Sequence, residues 1–299
     1  MSKNKSHSGF VAIVGRPNVG KSTLINALVG EKISITTPKP QTTRHRILGV
    51  LNRGLRQAVL IDTPGLQRDS KRPMHRLMTR AVHQAVADAD VIVLLVEADR
   101  LRDQDLALIR LVAQAGVPVL AVANKIDRLS PRELLLPHLE RLGRAGNFTA
   151  IVPVSARTGE NLEELERCIL EAVPEGHRLF PEGILTDRDT AFRITEIIRE
   201  KLMLRLHQEI PYGISVELEH FASDPKGWLL HAVVWVERDA HKAIVVGKAG
   251  RVMKDVGTAA RTEVSKLLGG SVHLELWVKV RKHRADSERT LSQMGFELP

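Results

Sequence analysis

Five short aliphatic runs, at 10–14, 58–61, 91–96, 117–123 and 151–154, are separated for the most part by segments whose apolar positions recur at helical spacing. Runs of this length, rich in β-branched residues, predict buried strands. Their alternation with helices predicts βαβ units: an α/β domain with a mainly parallel sheet, helices on both faces, and a ligand site at the C-terminal ends of the strands. After Asn161 the spacing of Leu162, Leu165, Ile169 and Val173 predicts a closing amphipathic helix, with Cys168 packed beside its stripe.

The pattern breaks between Val173 and Asp187, where two prolines and two glycines fall in a span that neither helix nor strand tolerates. This predicts a first domain at 1–175, a linker at 176–186 and a second domain at 187–299. The second is read as α+β: a helix at about 188–208, strands at 213–222 and 228–237 around the turn Asp224-Pro225-Lys226-Gly227, helices at 240–246 and 251–268, and a strand at 271–281.

With 43% hydrophobic but only 3% aromatic residues, the core is aliphatic and the chain is not of the disordered class. No apolar run approaches the ~18 residues that cross a bilayer, and the first ten residues lack the apolar stretch of a signal peptide, so a soluble, unexported protein is expected. The single cysteine excludes an internal disulfide, and no His or Cys group has zinc spacing. A net charge of +9 points to a polyanionic partner. Two stretches concentrate it: 36–80 holds ten Lys+Arg against Asp62 and Asp69, and 242–284 holds ten against Asp255, Glu263 and Glu275.

Gly15-Arg16-Pro17-Asn18-Val19-Gly20-Lys21-Ser22 matches the phosphate loop G-x-x-x-x-G-K-[ST], follows a predicted strand and opens a predicted helix that continues through Thr23. Glycines turn backbone N–H groups toward the β-phosphate, the helix N-terminus adds its dipole, Lys21 reaches the β- and γ-phosphates, and the Ser22 hydroxyl ligates Mg²⁺. The loop alone does not separate ATP from GTP. Asn124-Lys125-Ile126-Asp127, at the end of the run 117–123, addresses the base, because a carboxylate at Asp127 accepts from guanine N1–H and N2–H₂ and adenine lacks that donor pair. Ser155-Ala156-Arg157, after the run 151–154, is placed to close over the base with a backbone N–H toward O6. Asp62-Thr63-Pro64-Gly65, after 58–61, supplies a carboxylate to the Mg²⁺ shell and, at Gly65, a backbone N–H that senses the γ-phosphate.

Together with Pro40-Gln41-Thr42-Thr43-Arg44, these motifs resemble the Era branch of the translation-factor-class GTPases. The second half strengthens the resemblance: Gly247-Lys248-Ala249-Gly250 lies between two consecutive predicted helices, in an order that resembles the type II KH domain. The resemblance implies hydrolysis of GTP to GDP and phosphate, with Lys21, Thr43, Asp62 and Gly65 in catalysis. It implies Mg²⁺ held by Ser22, Asp62 and a switch threonine, Thr43 or its competitor Thr42, and a monovalent cation such as K⁺ beside Asn18. Leu66 stands where Ras-like enzymes place the glutamine that orients water, so slow intrinsic turnover is expected.

In a KH reading, Gly247 and Gly250, without Cβ atoms, let a sugar-phosphate chain approach the loop that also holds Ala249, and Lys248 and Arg251 neutralise phosphates. Ile244, Val245 and Val252 form a groove for unstacked bases, and Lys254, Lys279, Arg281 and Lys282 continue the phosphate track. Trp277 is either a stacking platform or an edge-of-core residue. By resemblance the partners are the single-stranded 3′ end of small-subunit ribosomal RNA and the small subunit, whose assembly a cytoplasmic monomer would assist, with peripheral contact at the inner face of the cell membrane. The rival reading is a membrane-surface GTPase switch whose basic stretches bind anionic lipid.

Overall fold

A computed structural model describes residues 5–39, 42–65, 73–206 and 213–281. The chain forms two compact units, one of residues 1–34 with 45–187 and the other of 35–44 with 188–299.

The first unit is built on strands β1 (His7–Gly15), β2 (Ile47–Arg53), β3 (Arg56–Asp62), β4 (Val91–Glu97), β5 (Val119–Asn124) and β6 (Ala150–Val154), in the order β2-β3-β1-β4-β5-β6. Five are the predicted runs, mutually parallel; β2 is an antiparallel edge strand on β3. No aliphatic run announces β2 because Gly49 interrupts it. A Cβ there would lie 2.7 Å from Ile33 and 3.0 Å from Ile25 and Val29, so tight packing demands the residue that breaks the pattern.

Helices α1 (Lys21–Val29), α2 (Pro73–Ala87), α3 (Asp103–Val112), α4 (Leu135–Ala145) and α5 (Leu162–Ala172) complete the unit. Ala12, Val14, Ile61, Ile92, Leu94 and Val96 form one core with Val82 of α2, Leu108 and Ile109 of α3 and Leu142 of α4. The strand alternation sends Val11 and Ile13 the other way, where they are equally buried. Such double-faced burial explains the unbroken apolar runs. The Pro/Gly-rich span at 176–186 packs back on this unit: Gln57 Oε1 accepts from Leu179 N and Phe180 N at 2.8 and 2.9 Å, and Val50 N donates to Leu185 O at 2.9 Å.

The second unit contains α6 (Thr190–Arg205), the hairpin β7 (Ser215–Asp224) and β8 (Gly227–Val236), α7 (Asp239–Val246), α8 (Arg251–Leu268) and β9 (Val272–Val280), with β9 parallel to β8. Asp189 caps α6, accepting from Phe192 N at 2.7 Å. Ile194, Ile198 and Leu202 of α6, Val256, Ala260 and Val264 of α8, and Leu230, Ala232 and Val234 of β8 make its core. Segment 35–44 belongs to this unit: Thr36 N donates to Glu200 Oε1 at 2.9 Å, Arg199 Nη2 to Thr42 O at 2.6 Å, and Arg44 Nη1 to Ile214 O at 2.8 Å. Arg199 is itself buried and paired with Glu196. No helix among the described residues is long and apolar enough to cross a membrane.

Candidate nucleotide site and nucleic-acid groove

The ends of β1, β3, β5 and β6 deliver the four predicted motifs to one edge of the first sheet. Gly15 leaves β1 where a Cβ would strike Leu95 O at 2.8 Å. Gly20, at φ 110, caps α1 in a left-handed conformation, and a side chain there would collide with Asn124. Lys21 is buried and donates to Gly15 O and Arg16 O, 3.1 Å each. Burial lowers its ammonium to about 8, against the opposing pull of Asp62. Ser22 Oγ donates to buried Asp62 Oδ2 at 2.8 Å, so two of the predicted Mg²⁺ ligands are in contact. Gly65 lies against the phosphate loop, where a Cβ would sit 2.6 Å from Pro17 N. Val19 is fully buried and Thr23 half-buried.

Asn124 clasps the loops together, Nδ2 donating to Val19 O at 2.8 Å and Oδ1 accepting from Ala156 N at 3.0 Å. The Ala156 amide, a candidate donor to guanine O6, is thus bonded within the protein. Lys125 holds φ 70 and donates to Asn18 O at 2.6 Å. Asp127 Oδ1 accepts from Ser155 Oγ at 2.6 Å, and Oδ2 from Arg157. Burial works to raise this carboxyl, but the Ser155 and Arg157 bonds hold it below its ordinary value.

Thr43 and Thr42 lie in segment 35–44, with the second unit; Thr42 Oγ1 donates to Lys39 O at 2.8 Å. Pro40, Gln41, Leu66 and Lys282 lie outside the described residues. Arg16 is a nucleotide-binding candidate by its place in the phosphate-loop motif, which gives no sign of its partners, Asp105 and Glu97. The one available signal was the position of Glu97 at the C-terminal end of β4, in register with Asn124.

In the second unit, Gly247 (φ 74), Ala249 (φ 51) and Gly250 (φ 74) form a tight turn into α8. A Cβ at Gly247 would run into Val252. Gly250 caps α8 without a side chain, and the first turn has Arg251 but no acid, leaving an electropositive helix end next to Lys248 and Lys254. Beside it, Met253, Lys254, Gly257, Thr258, Arg261, Leu274 and Leu276 line a cavity of about 320 Å³ between α8 and β9. Only Lys254 was singled out from sequence; the i, i+3, i+4, i+7 spacing of Lys254, Gly257, Thr258 and Arg261 on a helix with an unexpected internal glycine was the signal for the rest.

Two expectations for this groove need correction. Val245 is fully buried in the core, so it anchors α7 rather than lining a surface; Ile244 is exposed. Strand alternation puts Trp277, Lys279 and Arg281 on the sheet face opposite Leu274 and Leu276. There Trp277 is exposed and meets His231 edge-on, Lys279 bonds Glu219 at 2.8 Å, and Arg281 lies 3.8 Å from the Trp235 ring centroid. They do not continue the phosphate track of the groove face.

These loops on this sheet, followed by a helix-flanked glycine turn on a separate three-stranded sheet, define a P-loop GTPase joined to a KH domain. GTPase Era of Glaesserella parasuis serovar 5 (strain SH0165) is 43% identical over 297 residues, and that of Xanthomonas oryzae pv. oryzae (strain MAFF 311018) 45%, each covering 99% of both chains. The chain belongs to the Era family of GTPases. Residues 10–125 match the family model described as 50S ribosome-binding GTPase, and 209–285 match the KH domain. A solved Aquifex aeolicus Era variant bound to GDP·AlF₄⁻ superposes with a TM-score of 0.91 at 37% identity, over 98% of this chain and 100% of that one. The same values hold for a structure of Era with MgGDPNP and nucleotides 1506–1542 of 16S ribosomal RNA.

Proposed function

We propose that this GTPase binds single-stranded RNA at the 3′ end of small-subunit ribosomal RNA through its second unit and uses GTP hydrolysis to time its release during small-subunit assembly. The observation that carries this reading is the groove between α8 and β9, an apolar floor of Leu274 and Leu276 rimmed by Lys254 and Arg261 and opening next to the glycine turn. A base lies on such a floor while phosphates run past the uncapped helix end. The relative solved with 16S ribosomal RNA supports it.

The nucleotide would sit across the first unit's loops. Lys21 neutralises the β- and γ-phosphates, the Gly65 amide donates to the γ-phosphate, and Asp127 accepts from guanine N1–H and N2–H₂ after exchanging its Ser155 and Arg157 bonds. Water attacks the γ-phosphorus, the bridging oxygen leaves with GDP, and the water's proton ends on phosphate. The hydroxyl and carboxylate oxygens of Ser22 and Asp62, already in contact, form a donor set suited to Mg²⁺. When bound, the ion neutralises charge on the phosphate oxygens. A K⁺ ion beside Asn18 is part of the proposal, tested by comparing turnover in K⁺ and Na⁺.

The experiment for the RNA assignment titrates a labelled single-stranded RNA copying the 3′ end of small-subunit ribosomal RNA, with unlabelled RNA and anionic liposomes as competitors. Competition by RNA alone is expected. Displacement by liposomes would favour the membrane-surface switch instead.

A further inference from the structure

Outside the four nucleotide motifs, two carboxylates meet three cations at the edge of the first sheet. Asp105, in the first turn of α3, is fully buried; its Oδ1 accepts from Arg16 Nε at 2.7 Å and its Oδ2 from Arg102 N at 2.9 Å. Glu97, the last residue of β4, accepts at Oε2 from Arg16 Nη2 at 3.1 Å and Arg102 Nη2 at 3.2 Å, and at Oε1 from Lys125. Lys125 in turn donates to Asn18 O.

We propose that Glu97 and Asp105 are positioning residues of the nucleotide site, with Glu97 tying the loop that holds the phosphates to the loop that reads guanine. Arg16 is one residue into the phosphate loop, and its carbonyl is one of the two that hold Lys21. Fixing the Arg16 side chain therefore fixes the backbone on which Lys21 rests. Lys125 directly precedes the turn Ile126–Arg128 that carries Asp127, and it holds a left-handed conformation unfavourable to a side-chain-bearing residue. Its ammonium, held between Glu97 and Asn18 O, stabilises that geometry. Burial works to raise the Glu97 carboxyl, yet Lys125 and Arg16 hold it below its ordinary value, as expected of a shared anion. Asp105 reaches only the Arg16 side. The two carboxylates thus have separable effects: Glu97 governs both ends of the nucleotide, and Asp105 the phosphate end.

Glu97→Gln and Asp105→Asn keep shape and remove charge. GDP and IDP dissociation constants, kcat and KM for GTP, and a thermal melt are measured on the full chain. IDP lacks the N2–H₂ donors, so the GDP/IDP preference reports the alignment of Asp127. Both substitutions are expected to weaken GDP by about tenfold and to raise KM with little change in kcat, because preorganised ground-state binding is lost. Glu97→Gln is expected also to reduce the GDP/IDP preference severalfold, while Asp105→Asn leaves that ratio unchanged. Parental GDP affinity in Glu97→Gln, or an unaltered ratio with only a lowered melting temperature, overturns the bridging role. If Glu97→Gln does not fold, Glu97→Asp, which keeps the charge but shortens its reach by one methylene, must show the same change of ratio or the proposal is wrong.

Discussion

Lys21 sets a pH dependence that belongs to a single side chain. Burial lowers it to about 8; it must be protonated to neutralise phosphates, and bound phosphates raise its pKa. Nucleotide affinity is therefore full below about pH 8 and falls as pH rises above it, by up to about tenfold per unit, with proton uptake on binding. Calorimetry of GDP binding in buffers of different ionisation enthalpy checks this; affinity flat from about pH 7 to 9 with no proton uptake contradicts it. His138 behaves differently. It is buried in α4, and neither ring nitrogen has a hydrogen-bond partner among the described residues. Burial and Arg141 lower its pKa, Asp99 and Asp105 opposing. The unfolded chain thus binds the proton more readily, so stability is lost as pH falls below about 6.5. His138→Leu is expected to raise stability by about 1–3 kcal/mol and flatten the melting temperature between neutral and mildly acidic pH. At Asp127, Asp127→Asn should exchange GTP for xanthosine triphosphate, since an amide donates to the xanthine O2 but does not accept from both guanine donors. Retained preference for GTP in a competition assay would count against the guanine assignment.

At the scale of elements, Gly257 is the informative residue of α8. A glycine inside a helix costs about 1 kcal/mol relative to alanine, and a Cβ here meets only Leu276 at an ordinary 3.7 Å. Gly257→Ala should therefore stabilise the fold by about 0.5–1 kcal/mol while filling part of the groove, so RNA affinity should fall as the melting temperature rises. RNA affinity that is unchanged or rises in this variant argues that bases do not lie against α8. The same groove shows where legibility ended. Strands buried on both faces were visible because burial forces unbroken aliphatic runs, and α8 was read with its observed bounds because its apolar spacing is regular. Strand β2 was hidden by Gly49, chosen for space rather than propensity. The nucleotide loops were legible because phosphate chemistry fixes residue types at fixed spacing. Glu97 and Asp105 were not, because an ion pair constrains a distance in space and leaves no spacing in sequence. The strand pattern does not place Lys279 and Arg281 on the groove, because charge counted along a strand ignores which face each side chain takes.

For the whole molecule, the two activities are expected to separate. Replacing Lys248 and Ala249 by Asp puts two negative charges at the glycine turn, where each like-charge contact costs on the order of 1 kcal/mol or more. RNA binding should collapse at fixed salt while GTP binding and the melt stay near parental; surviving RNA affinity would mean the turn is not a phosphate site. Separation of activities is not separation of chain, however. Segment 35–44 leaves the first unit and returns to it, contributing buried Ile35 and Arg44 to the second. The second unit is thus assembled from two stretches of polypeptide, which makes it a natural fragment-complementation pair. With a protease site engineered after Asp187, cleavage should leave the two pieces eluting as one species, the smaller held by the contacts of Thr36, Thr42 and Arg44 with α6 and Ile214. Arg199→Ala, which removes the donor to Thr42 O, should loosen that hold and release the cleaved fragment at lower salt or temperature than in the parent.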